Sequence, residues 1–233
     1  MNSIANRLIA SLPDDEIALV RASLERVELS QRDVLYEPGD PIRHVFFPET
    51  AVISLMNNFS NGGTIEIGTI GREGMAGLPA FLSGETSTAR AVAQLPGLAY
   101  RLEANALREI ARPGRSLHTL LMRYTHAFLA QVAQTAACNS AHLVDERCAR
   151  WLLTTSDRVD GDDFPLTHEF LAFMLGVRRS GVTVAMRTLK DAGLVKYTRG
   201  RVTIVDRDKL RSSSCECYGV VSAAFESVVP ALA

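Results

Sequence analysis

From Val27 onward the chain cannot hold one backbone direction for long. In VELSQRDVLYEPGDPIRHVFFPETAVISLMNNFSNGGTIEIGTIGREGMAGLPAFL, runs rich in β-branched and aromatic residues are cut by PGD, NGG and GREG, with SGE just beyond. Glycine turns the chain through conformations other residues resist, and proline withdraws a ladder donor. Strands so short and so closely punctuated can pair only with near neighbours, which predicts a compact antiparallel β-roll, jelly-roll-like in form. ARAVAQLPGLAYRLEANAL continues the strands and turns helical at Glu103.

Helices flank this roll. Ile4, Leu8, Ile9 and Leu12, then Ile17, Val20, Leu24 and Val27, repeat at helical spacing; Pro13 divides them into two short helices, with Asp14 placed to cap the second. A long helix is predicted from Ser116 to about Ala137. Leu117, Leu121, Tyr124, Phe128 and Val132 draw one apolar stripe along it. The stripe can be covered by a second copy in a coiled coil or by the helix's own domain, and the dimer is the preferred reading. LVDERCARWLLTTSDRV forms a further helix, and the polar DGDD after it suits a boundary. The fold expected is α+β: a β-roll with flanking helices over 1–115, a dimerisation helix over 116–140, a short helix and hinge over 141–163, and a DNA-binding unit with its tail over 164–233.

PLTHEFLAFMLGVRRSGVTVAMRTLKDAGLVKYTRGRVTIVD defines that last unit. Pro165 and Thr167 suit the start of a helix, with Thr167 as cap. Phe170, Leu171, Met174 and Leu175 supply its buried side, and Gly176 and Val177 make a sharp turn. Val182, Met186 and Leu189 face the core of a second helix, which Gly193 ends. VKYTRGRVTIVD then forms two strands around Arg199-Gly200, a basic wing. The second helix opens with Arg178 and Arg179, against its own macrodipole, at a cost of up to about 1 kcal/mol. Several neutralised phosphates would outweigh that cost. Between Phe164 and Ser212 ten Lys and Arg face four Asp and Glu, a balance of +6 that leaves −7 for the rest of a chain whose formal net charge is −1. A basic module on an acidic body is the footprint of nucleic-acid binding. Arg178 and Arg179 are the expected donors to base edges, Ser180 and Thr183 reach phosphate or base edges, Arg187, Arg199 and Arg201 hold the backbone, and Thr167 joins the DNA-binding set. The rival reading is a ligand-sensing or scaffold protein whose winged helix binds protein.

A β-roll, a long helix, a short helix and a winged helix-turn-helix in this order resemble the Crp–Fnr family of bacterial transcription regulators. DERCARWLL and LAFMLGVRRSGVTVAMRTLKDAGLV carry the resemblance most specifically. It implies a homodimer reading a palindrome in double-stranded DNA, with RNA polymerase as a partner. It also makes Arg179, Ser180 and Thr183 the base readers. Val184 stands where other members carry a polar reader, and Gly181 costs about 1 kcal/mol of helix propensity against alanine. Members that bind cyclic nucleotide have a Gly-Glu pair for the ribose and an Arg-Ser/Thr pair for the phosphate. In the matching MAGLPAFLSGETSTARAVA, Leu78 replaces the carboxylate and Arg90 is displaced, which argues against cyclic nucleotide. Glu73, Thr88 and Arg90 remain as effector candidates, and the effector itself is unassigned.

The iron–sulfur branch of the family carries N-terminal cysteines, whereas this chain has none before Cys138, which argues against that cofactor. Cys138 and His142 lie four apart, with Cys148 further on. Buried structural cysteine is the preferred reading, and Cys215-Glu-Cys217 is too short a pair for a four-ligand site, so no metal ligand is assigned. His44, His118 and His126 have no identifiable partners, which leaves a haem ligand among them as an open alternative. No nucleophile elbow, phosphate-cradling loop or paired catalytic carboxylates can be found, so an enzyme is not expected. Hydrophobic residues at 47% and charged residues at 22% exclude wholesale disorder. With no export-type or bilayer-length apolar run, and four cysteines in no repeated framework, a cytoplasmic protein without membrane attachment is expected.

Overall fold

The computed structural model describes residues 4–60, 63–82 and 84–229. Asn61, Gly62 and Ser83, which fall in two of the turn signals, lie outside the described residues. In chain order the elements are α1 (Arg7–Ala10), α2 (Asp14–Arg21), β1 (Glu25–Leu29), β2 (Val34–Tyr36), β3 (His44–Pro48), β4 (Val52–Asn58), β5 (Thr64–Ile70), α3 (Leu78–Phe81), β6 (Arg90–Leu95), β7 (Gly97–Glu103), α4 (Ala104–Ile110) and α5 (Ser116–Ala141). There follow α6 (Val144–Ser156), β8 (Asp163–Pro165), α7 (His168–Leu175), α8 (Arg179–Asp191), β9 (Val195–Thr198), β10 (Arg201–Ile204), α9 (Arg207–Ser212) and α10 (Cys217–Glu226). None of the described helices is long and apolar enough to cross a membrane.

The roll is two antiparallel sheets, ordered β1-β7-β3 and β2-β6-β4-β5. Val45, Phe47, Ile53, Ile70, Met75 and Leu102 fill the space between them. Asn6, not a residue of the first turn, caps α1, its side chain accepting the Ile9 N–H at 3.3 Å. Asp14 is the first residue of α2 and makes no capping bond; the cap position is Pro13. The buried Glu16 of α2 has a different task. Its carboxylate accepts the N–H groups of Ser116 and Leu117 at 2.9 and 3.0 Å, so one helix caps the next. Burial opposes its charge, but these bonds and Arg115 hold its carboxyl below the usual value.

The stripe on α5 faces inward. Leu117, Leu121, Tyr124 and Phe128 are buried in the roll core, with Val132 half-buried against it. The Tyr124 hydroxyl donates to the Met75 carbonyl at 3.0 Å. A Cβ on Gly68 would meet the Phe128 ring at 2.9 Å, and one on Gly74 would meet the Tyr124 hydroxyl at 2.7 Å, so both glycines are needed for the helix to lie this close. The assignment of these five residues to a dimer seam is therefore corrected: the roll and α10 cover them, with Phe225 against Tyr124 at 6.2 Å between ring centroids. The outward face carries Met122, His126, Leu129, Ala133 and Ala136, all exposed and alternating four and three apart.

The second core joins α6, α7, α8 and the three-stranded sheet β8-β10-β9. Because Cys148, Trp151, Leu152 and Leu153 of α6 lie inside this cluster, the polar turn at 160–163 connects parts of one packed unit and is not a boundary. Val52, Met56, Val92 and Leu95 of the roll enter the same cluster, which seats the two units against each other. At that seam Glu66 is buried. The Trp151 indole N–H donates to its Oε1 at 3.2 Å, and its Oε2 faces the Ser54 hydroxyl, which lies 2.8 Å from Gln94 Oε1. A protonated Glu66 donates to Ser54, leaving the serine proton for Gln94; an ionised one takes that proton away from the amide. Burial accordingly pushes this carboxyl above the usual range, opposed only in part by its hydrogen bonds.

With the folded value raised above the unfolded one, this contribution to stability is complete below the ordinary carboxylate pKa. It is lost as pH climbs toward the folded value, at about 1.4 kcal/mol per pH unit. Glu66→Gln can accept from Trp151 and donate to Ser54 at any pH. Its melting temperature is expected to exceed that of the wild type at about pH 8, with the difference shrinking toward about pH 5, in thermal unfolding followed by circular dichroism. A difference that is constant with pH would show that Glu66 does not hold a proton.

Candidate nucleic-acid interface

The turn between α7 and α8 is made by Gly176 in the left-handed region (φ 63°, ψ 36°). The Val177 N–H returns to the Ala172 carbonyl at 3.0 Å, which closes α7 and redirects the chain. Leu171, Ala172, Met174 and Leu175 of α7 meet Val182, Ala185, Met186 and Leu189 of α8 in the core. Phe170 is only half-buried, edge-on to Trp151. This packing turns the opposite side of α8 outward. Arg179, Ser180, Thr183, Val184 and Arg187 are exposed there, Val184 at 67%. Arg178 precedes the helix in extended conformation as its cap residue, exposed, and it makes no ion pair among the described residues. Arg179 makes none either.

The remaining cations divide. Arg187 pairs with Asp191 one turn on at 3.4 Å, both largely in solvent, an interaction of small energy. Arg201 is engaged across the β8–β10 pair with Asp163, whose other oxygen accepts from Thr203 at 2.7 Å. Those two bonds hold the Asp163 carboxyl below its ordinary value. Arg201 thus fastens the wing and is removed from the set of free phosphate donors. Arg199 makes no ion pair among the described residues and stands at the tip of the two-residue hairpin, where it and Gly200 take positive φ (49° and 78°), the pairing that twists with its strands. Thr167 caps α7 by accepting the Phe170 N–H at 3.1 Å, which leaves its own proton available.

Two residues the sequence reading passed over support this face. His168 stacks on Tyr197 with centroids 4.6 Å apart, and its Nδ1 lies 3.2 Å from the Thr183 hydroxyl. Burial, and next the nearby Arg179, lower its pKa, so the ring stands neutral beside the arginine. Thr183 in turn donates to the Arg179 carbonyl at 3.0 Å, so its acceptor pairs face the histidine. No periodic signal links positions 168, 183 and 197; only the fold brings them together.

The three effector candidates stand in different local settings. Glu73 is buried in an ion pair with Arg158 at 2.8 Å and also accepts the Gly71 N–H. Arg90 pairs with Glu37 at 3.0 Å, and Thr88 is exposed in a bend. Leu78 is buried in the roll core.

Residues 26–113 match the cyclic nucleotide-binding domain, and residues 146–213 match the Crp-like helix-turn-helix domain. No curated protein matches the sequence. Among solved structures, FixK2 from Bradyrhizobium japonicum is similar at 16% identity and a TM-score of 0.71, over 82% of this chain and 98% of that one. A crp/fnr-family transcriptional regulator from Eubacterium rectale is similar at 17% identity and a TM-score of 0.67, over 88% and 96%. At such identities the structures speak for the fold alone. The two domain matches, in this order and over about two-thirds of the sequence, say more. With a β-roll followed by a helix-turn-helix whose second helix opens outward on Arg178 and Arg179, this chain belongs to the Crp–Fnr family of DNA-binding transcription regulators.

Proposed function

We propose that the protein is a cytoplasmic homodimer that reads a palindromic duplex site through α8 and changes its DNA affinity when the roll takes up an effector. The observation that carries this reading is the N-terminal end of α8, where Arg178, Arg179 and Ser180 are exposed and neither arginine is spent on a carboxylate among the described residues. An arginine there can bond guanine O6 and N7 together, and the exposed Val184 suits the methyl group of thymine. Arg199 on the wing and Thr167 at the start of α7 are placed for phosphates. The dimer uses the outward face of α5, since its inward stripe is already buried. Met122 and Leu129 supply apolar knobs, and Ala133 and Ala136 allow close approach where the helix nears its end. Two copies so joined would present their reading helices to major-groove segments about 34–36 Å apart. Such a dimer beside a promoter would be placed to touch RNA polymerase.

Selection of bound sequences from random duplex DNA by the purified protein is expected to recover an inverted repeat. Affinity for it should fall steeply as salt rises, whereas a winged helix serving only protein partners would select nothing and show no such slope. Arg179→Ala should lower affinity for the selected site by roughly 5- to 150-fold while leaving non-specific binding nearly intact, read by fluorescence anisotropy. Arg201→Ala should act through the wing instead, lowering the melting temperature without relaxing base preference. Equal loss on cognate and random DNA in Arg179→Ala would remove it from the readers.

The two faces of α5 give opposite expectations. Leu129→Glu should yield monomers of near-normal melting temperature in analytical ultracentrifugation. Leu121→Ala should keep the dimer but lose about 2–5 kcal/mol of stability through a core cavity. The reverse pattern would return the interface to the inward stripe.

A further inference from the structure

Cys138 and His142 lie one turn apart where α5 ends, and Cys215 and Cys217 lie where α10 begins. Far apart in sequence, the four come together in the fold: one donor atom from each lies within 4.8 Å of all the others. Cys138 Sγ is 3.5 Å from Cys215 Sγ, and Cys217 Sγ is 3.5 Å from His142 Nδ1. The three cysteines are free thiols, buried, and form a small cluster of their own with no hydrocarbon side chain in it. Cys148 is elsewhere, buried in the winged-helix core, where burial pushes its thiol up to about 12.

We propose that Cys138, His142, Cys215 and Cys217 hold one thiophilic divalent cation, zinc or its like, which straps the tail behind the winged helix to the end of α5. The spacing of Cys215 and Cys217, too short to make a site alone, is completed by the helical pair. An ion holding sulfurs at about 2.3 Å in tetrahedral array sets them a little under 4 Å apart, close to the separations seen here. An iron–sulfur cluster would need its ligands spread around a polynuclear core, wider than this group. Three thiolates and an imidazole select zinc over magnesium or calcium, which prefer oxygen.

The surroundings complete the site. His142 Nε2 lies 3.2 Å from the Glu216 carboxylate, the partner that fixes a ligating imidazole with its other nitrogen toward the metal. The Gln134 amide donates to Cys217 Sγ at 3.0 Å. On binding, the three thiols release three protons to solvent, and the loaded site carries one net negative charge. Arg147 and Arg150 of α6 lie close enough to act electrostatically on Cys138 and to offset that charge.

The test uses the full chain, purified under reducing conditions and assayed for metal by elemental analysis. About one zinc per chain is expected in the wild type and in Cys148→Ser, and almost none in Cys138→Ser, Cys215→Ser, Cys217→Ser or His142→Ala. Where a variant fails to fold, the metal-stripped wild type titrated with cobalt(II) decides. Intense thiolate-to-cobalt charge transfer with the visible bands of a tetrahedral ion, saturating at one equivalent, supports the site. A reduced wild type that takes up neither ion would overturn the proposal. So would equal metal loss in Cys148→Ser, or a Cys138–Cys215 disulfide in a protein that stays metal-free after reduction. Limited proteolysis tests the strap itself: chelation should speed cleavage around 213–217 several-fold, and unchanged protection would reject that role.

Discussion

The guanidinium of Arg158 holds the molecule together at the point where its parts meet. From the turn just after α6 it bonds the Glu73 carboxylate of the roll, the Gln131 side chain of α5 at 3.1 Å and the Thr154 carbonyl of α6 at 2.8 Å. Its methylenes fill the place where a Cβ on Gly71 would stand, 2.4 Å from Arg158 Cγ, so the turn can approach only as glycine. Removing one partner from such a buried pair costs about 3–5 kcal/mol, because the survivor keeps its charge and loses its solvent. The turn around Glu73 is therefore an internal joint between the sensing unit and the helix leading to the winged helix. Its acidity, which the sequence offered to an effector, is spent on that joint.

Counting charges located the basic module, but it did not say which cations were available. Arg201 closes on Asp163, and Arg207 is shared between Asp157 and Asp162. Arg178, Arg179 and Arg199 are left outward and without an ion pair among the described residues, as are Lys190, Lys196 and Arg211. The electrostatic surface that a duplex meets is thus narrower than the composition suggests, since four of the ten cations are spent on internal carboxylates.

Local chemistry was legible wherever it was decided locally. The strand stretches, the turn to helix at Glu103, the Thr167 cap and the Gly176 turn all follow from residues within a few positions of each other. The partner of a face was not legible. α5 carries two regular stripes, Leu117-Leu121-Tyr124-Phe128 and Met122-His126-Leu129-Ala133-Ala136, and periodicity shows that a helix has a buried side without showing what buries it. The third strand of the wing, β8, is three residues long and paired only through β10, too little for a pattern. The cysteine–histidine group was hidden for the same reason, since its halves are brought together by α10 folding back.

That return has an effect on how the chain comes into being. Val221, Phe225, Val228 and Val229 are part of the core built mainly by the first half of the sequence, and the Arg7 side chain bonds the Val229 carbonyl. Domains usually close in order of synthesis, N-terminal first. Here the leading domain is left with an apolar gap until α10, on the far side of the winged helix, has been made and has cleared the ribosome. Its completion waits on synthesis of the whole DNA-binding half, and a chain cut short before α10 would leave the sensing half unfinished as well.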